Sequence, residues 1–457
     1  MITNDEMKNE MLESPIGGLL FRKALPTIII QLITVVYNTA DTYFVARINT
    51  EASAAVGIVF SIMAVIQAIG FGIGMGCGSI ISRRLGASKT DEADMYGSSG
   101  LAASFLCGML ISTAGLIDIN GLMHIIGSTN SVLPYAIKYG KYILIAAPFM
   151  CMSFVLNNIL RSEGQTSLAM IGMTSGGILN LILDPVFIFT LHMGISGAAI
   201  ATMLSQIMST LIMSIIFMTG NSIVKISPFK ISRKIETYGL ILKTGFPTIC
   251  RQGLASLSSA ILNIGAAVYG DGAIAAVSIA NKLYMLIRNV ILGIGQGYQP
   301  IAGYCYGAGK KERVRKLFWL SSISGTVICV LFAILMFIFR VPVITWFRDD
   351  NEVIKVGSNM IIYMCMSMPF LAYSTYVNQT YQCLGFSKGA TFLACQRQGM
   401  CFVPLALILP RLIGVSGIEM LQPAADILTF VISVPFQIWF FRTQLDNKEQ
   451  AIVSSDV

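Results

Sequence analysis

Residues 25–45 read LPTIIIQLITVVYNTADTYFV. The run is apolar almost to its end, carries Pro26 near its start, and holds Asp41 with no basic residue between Lys23 and Arg47. A stretch of this length and hydropathy crosses a bilayer as one helix. An acid inside such a helix is costly and marks a function by default. The same opening returns 221 positions later, where Pro26-Thr27-Ile28 falls on Pro247-Thr248-Ile249. That recurrence decides the architecture.

The offset holds without a gap over long stretches. Ala54-Ala55-Val56 falls on Ala275-Ala276-Val277, and Gly72-Ile73-Gly74 with Gly76 falls on Gly293-Ile294-Gly295 with Gly297. Gly86-Ala87 and Lys89 meet Gly307-Ala308 and Lys310; Pro148-Phe149, Ser153, Asn157 and Gly164 meet Pro369-Phe370, Ser374, Asn378 and Gly385. With one residue dropped, GISG (194–197) meets GVSG (414–417). One chain half is written twice.

Hydrophobic residues make up 55% of the 457, charged residues 12%, and the mean hydropathy is +0.72. A soluble chain carries about twice that charge. Apolar runs at 17–46, 53–82, 96–118, 135–160, 168–192, 197–220, 238–269, 273–304, 317–340, 354–384, 390–412 and 420–442 predict an all-α polytopic membrane protein of about twelve spans. Six spans per half is an even number, so both halves enter from one side. They should be related by a pseudo-two-fold axis along the membrane normal, as in transporters whose two lobes rock about a central cavity. The expected units are an N-lobe (1–220), an inter-lobe loop (221–237), a C-lobe (238–445) and a tail (446–457).

Lys and Arg set the orientation. About 19 of the 31 lie in the termini and the even-numbered connections, among them RRLGASK (83–89), Arg161, KISPFKISRK (225–234), KKERVRK (310–316) and Lys388. Both termini are therefore expected in the cytoplasm. The net charge of +8 is this loop bias and needs no nucleic-acid partner. The polar start MITNDEMKNEMLESP does not have the pattern of a signal peptide. Ten scattered cysteines argue against a disulfide framework, and His124 and His192 form no metal-ligand cluster.

Some repeated elements look mechanical. Pro26 and Pro247 each remove a backbone hydrogen bond early in the first span of a half and allow a bend. Pro185 does the same in the fifth span. The run GFGIGMGCG places glycines at 70, 72, 74, 76 and 78, so two helix faces can pack closely on neighbours. A phosphate-binding reading fails, because no strand precedes the run.

Asp41 lies about 9 Å below the outer end of its span at 1.5 Å per residue. Asp184, in ILNLILDPVF, lies roughly 12 Å below His192, and Thr202 roughly 8 Å into the sixth span. Tyr37 shares a helix face with Asp41, and Asn180 with Asp184, each pair four residues apart. Two carboxylates, an amide, a hydroxyl and a phenol at one depth make a site for a proton or a small hard cation such as Na+. The bland alternative is that the acids pair with basic groups or snorkel outward.

The second half does not repeat this chemistry. Leu262 and Leu405 stand where Asp41 and Asp184 would fall. Instead the half holds Arg251, Lys282, Arg288 and Arg397 with Gln252, Asn263, Gln296, Gln299, Asn378 and Gln396. Arg288, Lys282, Arg251, Asn263 and Gln296 are candidates for a substrate cavity, Arg288 foremost because it sits mid-span. Snorkelling is the competing role for the cations. Asp426 could pair with one of them. The 25 methionines suit a pliable cavity wall, although core filling explains any single one.

The chain resembles the multidrug and toxic compound extrusion (MATE) transporters, in the DinF-like or MepA-like branches. The resemblance is carried by the two halves, by LPTIIIQLITVVYNTADTYFV, by GQGYQPIAGYCYGAGK (295–310), and by LRSEGQT (160–166) with its counterpart YQCLGFSKG (381–389). It implies two V-shaped lobes and export of amphipathic, often cationic compounds driven by inward H+ or Na+, in the plasma membrane of a bacterium or archaeon. In related members an Asp of the first span, an Asn and Asp one turn apart in the fifth, and a Thr of the sixth form an N-lobe site. Asp41, Asn180, Asp184 and Thr202 match it. Other branches place acids in the seventh and tenth spans, which lack them here.

The expected function is a secondary antiporter working as a monomer on small amphipathic substrates in the bilayer, with H+ or Na+ as coupling ion and no cofactor. The alternative is a flippase for a lipid-linked saccharide or other anionic lipid, which would suit Arg251, Lys282 and Arg288. An enzyme is not expected: no Ser/His, Cys/His or metal-ligand constellation shares a depth.

Overall fold

The computed structural model of the chain describes residues 4–445, so the expected tail, 446–457, lies outside the described residues. The described residues form helices and connections with no strand. The first half comprises α1 (Asn4–Glu13), α2 (Ile16–Ala46), α3 (Thr50–Gly86), α4 (Thr90–Ile117), α5 (Ile119–Ile125), α6 (Leu133–Ser162), α7 (Thr166–Pro185) and α8 (Gly194–Met218). The second comprises α9 (Ile235–Ala267), α10 (Asp271–Gly307), α11 (Lys311–Phe347), α12 (Asn351–Cys383), α13 (Ser387–Cys395), α14 (Phe402–Ile413) and α15 (Val415–Phe440). Within the described residues, eleven helical segments are long and apolar enough to cross a membrane. The twelfth span, α9, has 33 residues but carries Lys243, Arg251 and Gln252. α3, α6, α10 and α11 run a few residues past both ends of their apolar runs, because polar turns there continue the backbone hydrogen bonding.

Polar side chains start several helices. Asn49 accepts from the Ala52 amide at 2.7 Å, and Asp350 accepts from Glu352 and Val353 at 2.9 and 3.3 Å. The repeat is visible in caps as well. Gly164 and Gly385, at equivalent positions after α6 and α12, both take positive φ, 93° and 92°, a conformation that glycine adopts freely. Asn157 donates to the Ala169 carbonyl at 3.0 Å, and its counterpart Asn378 donates to Ala390 at 2.9 Å.

The glycine run of α3 packs on two sides, as its spacing predicts. Gly70, Gly74 and Gly78 lie against Phe154, Asn158 and Ser162 of α6, while Gly72 and Gly76 lie against α9. A Cβ on Gly76 would strike the Ile241 carbonyl, and one on Gly245 the Gly72 carbonyl. On the other flank Thr27 of α2 donates to the Gly293 carbonyl of α10 at 2.6 Å. Arg83 donates to the Leu384 carbonyl at 3.2 Å, and the Tyr304 hydroxyl to the Glu163 carbonyl at 3.3 Å. These contacts join the halves at the end that carries the basic connections.

Two features lie beyond the sequence reading. The polar start forms α1, whose Met7 and Met11 are buried. Cys305 approaches the Met11 carbonyl at 3.8 Å, and Lys23 pairs with Glu10 at 3.0 Å. The i, i+4 spacing of Met7 and Met11 was the available signal. The connection between the halves, residues 219–234, is strapped to the first half rather than free. Ser222, Ile223 and Val224 donate to Glu163 Oε2, each at 2.9 Å. Lys225 N–H donates to Asp94 at 2.8 Å, and Lys230 pairs with Asp94 at 2.6 Å.

Candidate functional site

Asp41 lies five residues before the end of α2, and Asp184 one residue before the end of α7. Pro185 offers no N–H, and the helix continues through Val186–Thr190 in the wider π register, with Leu191 N–H bonded to the Val186 carbonyl at 2.9 Å. Such π segments often accompany functional sites. Pro26 and Pro247 sit inside α2 and α9, each of which continues as helix past its proline.

Asn180 binds the two sides of the site together. Its Nδ2 donates to Asp184 Oδ1 at 3.1 Å and to Thr202 Oγ1 at 3.4 Å. The Tyr139 hydroxyl of α6 donates to Asp41 Oδ2 at 3.5 Å. Asp41, Asn180, Thr202 and Tyr37 line one cavity. Asp184 is fully buried behind it, with one oxygen, Oδ2, unpartnered, as is Oδ1 of Asp41. Among the described residues no Lys, Arg or His pairs with either acid. Tyr139, Gln67 and Gln206 also belong to this neighbourhood. Nothing in the sequence flagged Tyr139, because which face of α6 turns toward Asp41 is set by tertiary packing.

The second half gathers a different set. Arg251, Arg288, Arg397, Asn378 and Asp426 line a second cavity. Arg397 Nε pairs with Asp426 Oδ1 at 2.7 Å, and its Nη2 donates to the Tyr284 hydroxyl at 2.6 Å. Of the five candidates in this half, Arg251 and Arg288 line the cavity. Lys282 and Asn263 are exposed, Gln296 is half-buried, and none of the three lines it. Helical spacing did not resolve which face of α10 turns inward.

A two-lobed bundle of spanning helices that lines one lobe's cavity with an unpaired acid and the other's with arginines defines a polytopic membrane transporter. The chain belongs to the MatE family: the family model matches residues 26–186 and 247–408, one match per half, each beginning at the paired proline. Among curated relatives, the multidrug export protein MepA of Staphylococcus haemolyticus is 28% identical over 423 residues, covering 90% of this chain and 92% of its own. MepA of Staphylococcus aureus is 26% identical over 417 residues with the same coverage, 90% and 92%. A solved outward-facing multidrug resistance MATE transporter of the MOP superfamily superposes with a TM-score of 0.90 at 25% identity, covering 95% of this chain and 97% of that one. The fold is thus the two lobes of six helices expected from the duplication.

Proposed function

We propose that the chain exports amphipathic, often cationic compounds from the cell in exchange for inward H+ or Na+, with Asp41, Asp184, Asn180 and Thr202 as the coupling site. The observation that carries this reading is the pair of acids on two helices, Asp184 buried and Asp41 half-buried, each with a buried, unpartnered oxygen and no cationic side chain paired with it. Uncompensated charge in a membrane interior costs several kcal/mol. A proton or Na+ supplies the missing compensation. Tyr37 and Tyr139 hold phenols beside Asp41. Neutralising the site removes the repulsion between the acids and lets α2 bend near Pro26, with Pro247 as the matching flexure and Pro185 easing the end of α7. The lobes, divided within 221–237, then rock about their shared basic end, which faces the cytoplasm with both termini. The relatives that carry the name multidrug export protein support small-molecule export. A monomer suffices, since each cavity is built within one lobe.

The test is ethidium export from inverted vesicles, driven separately by an imposed pH gradient and an imposed Na+ gradient. Export under one gradient, reduced at least a hundredfold by Asp41→Asn with Asp184→Asn, is the expected result. Unchanged export in the double variant would sink the coupling site. A second reading, a flippase for an anionic lipid, draws on Arg251 and Arg288 at the other cavity. It predicts labelled-lipid translocation in place of ethidium export.

A further inference from the structure

The two cavities occupy the same place in the repeat. At the offset of 221, Gln67 falls on Arg288, Met150 on Leu371, Phe154 on Thr375 and Gly176 on Arg397; at 220, the offset set by GISG and GVSG, Gln206 falls on Asp426. Both members of every one of these pairs line their respective cavities. The duplication therefore built one pocket twice, and what separates the copies is charge. In the first, Asp41 is the ionisable acid among the lining groups; in the second, three arginines face one acid.

That one acid is already committed. Asp426 pairs with Arg397 through Oδ1, accepts from Gln422 Nε2 at 3.0 Å, and receives the Tyr284 hydroxyl on Oδ2. Arg397 thereby has its counter-charge. Arg251 reaches only an amide, with Nη1 3.5 Å from Asn378 Oδ1. Arg288 has no hydrogen-bond or ion-pair partner among the described residues. Two guanidinium groups thus border one cavity without a carboxylate of their own. A guanidinium presents a planar fork of donors that matches carboxylate, sulfonate and phosphate oxygens. Leu292, Leu371 and Leu393 supply apolar wall beside them.

We propose that the C-lobe cavity is an anion subsite, binding the carboxylate, sulfonate or phosphate group of an amphipathic ligand between Arg251 and Arg288, with its apolar part against the three leucines. Ligand binding here stands by itself; its use in export rests on the transporter reading above. A ligand bearing both charges could engage both cavities in turn, because the two cavities occupy matching places in the two lobes.

The test uses the purified full chain in neutral detergent and two fluorescent probes, dansylaminoundecanoate and an analogue carrying trimethylammonium in place of the carboxylate. Fluorescence anisotropy should show the carboxylate bound at least tenfold more tightly than the ammonium. Arg251→Gln with Arg288→Gln, the latter installing the residue found at Gln67, should weaken the carboxylate at least tenfold and leave the ammonium unchanged. Arg288→Lys keeps the charge and should retain most of the affinity. Should the double variant fail to fold, Arg288→Gln against Arg288→Lys carries the same comparison. Equal affinity for the two probes, or carboxylate binding that survives loss of both arginines, overturns the proposal.

Asp41→Asn separates the two readings: it should bind the carboxylate like the parent chain while losing gradient-driven ethidium export. Carboxylate binding in a parent chain that exports nothing would break the exporter reading and leave the subsite standing. Ethidium export without discrimination between the probes would break the subsite alone. Two further arms identify the source of the anion, and each supports the proposal when its signal is lost in the double arginine variant. Translocation of labelled phosphatidylglycerol in proteoliposomes assigns it to a lipid headgroup, and accumulation of dansylaminoundecanoate in inverted vesicles assigns it to a free amphipath.

Discussion

The N-lobe and C-lobe cavities share a backbone and differ in the sign of what they bury. Asp41, Asp184 and Glu163 fall on Leu262, Leu405 and Leu384; Arg251, Arg288 and Arg397 fall on Ile30, Gln67 and Gly176. The positions that agree between halves have another character. Gly72 and Gly293 let helices touch across the lobes, Gly164 and Gly385 turn the chain at positive φ, and Asn157 and Asn378 make the same bond to a carbonyl. Packing and turn geometry tolerate few residues. A cavity wall tolerates many. At Asp41, Arg251, Arg288 and Arg397 the diverged side chain lines a cavity, and there it changes chemistry without disturbing the fold.

The arginine of the C-lobe and the acid of the N-lobe should respond oppositely to removal. Arg397→Met leaves Asp426 buried without its cation, and should destabilise by about 3–5 kcal/mol. Adding Asp426→Leu should return most of that loss, since both charges are then gone. Asp41→Leu, the residue found at Leu262, removes an acid that has no cationic partner. Its unfolding midpoint should stay level or rise while coupled export is lost. Thermal unfolding of the purified variants reads both. Equal losses for Arg397→Met and Asp41→Leu would mean that the N-lobe acid is structural too, and the contrast between the lobes would collapse.

The shared geometry can be tested at the glycines. Gly245→Ala drives a Cβ against the Gly72 carbonyl, backbone against backbone, and overpacking of this kind costs about 1–3 kcal/mol. Gly265 has only a side-chain carbon of Ile418 near its Cβ position, at 3.7 Å. There alanine should stabilise by about 0.5–1 kcal/mol through helix propensity. The same unfolding assay compares them. Similar outcomes at the two sites would show that α3 and α9 separate without cost.

Much of the fold could be read from the sequence because long apolar runs leave few options in a bilayer, and an ungapped repeat gives the topology twice. The N-lobe residues Asp41, Asn180, Asp184 and Thr202 could be assembled from depth and helical spacing, since Asp41 and Asp184 are the only acids in their apolar spans. The C-lobe resisted that treatment. Its polar residues are numerous, and only the rotation of α9 and α10 separates Arg251 and Arg288, which line the cavity, from Lys282 and Asn263, which do not. Tyr139 was hidden for the same reason, as was α1, whose burial depends on loops of both halves.

Glu163 offers the smallest and most conditional test. It lies just beyond α6 at the basic end, where the other half has Leu384. Its Oε2 accepts three bonds from the connection between the lobes, and its Oε1 is buried without a partner. Burial pushes the carboxyl up from the ordinary 4.5 to about 8, outweighing the opposing effect of those three bonds. The folded chain then holds this proton more tightly than the unfolded chain. The stability so gained is fully present below about pH 4.5 and is lost as pH rises through about 8. Glu163→Gln keeps an acceptor for the connection and cannot ionise. Relative to the parent chain, its unfolding midpoint should gain with rising pH and level off above about 8, with no such trend in Leu384→Met. A difference from the parent that stays constant across this range would mean that Glu163 is ionised throughout. The three bonds would then outweigh burial, and this third acid of the first half would belong with the structural groups rather than with Asp41 and Asp184.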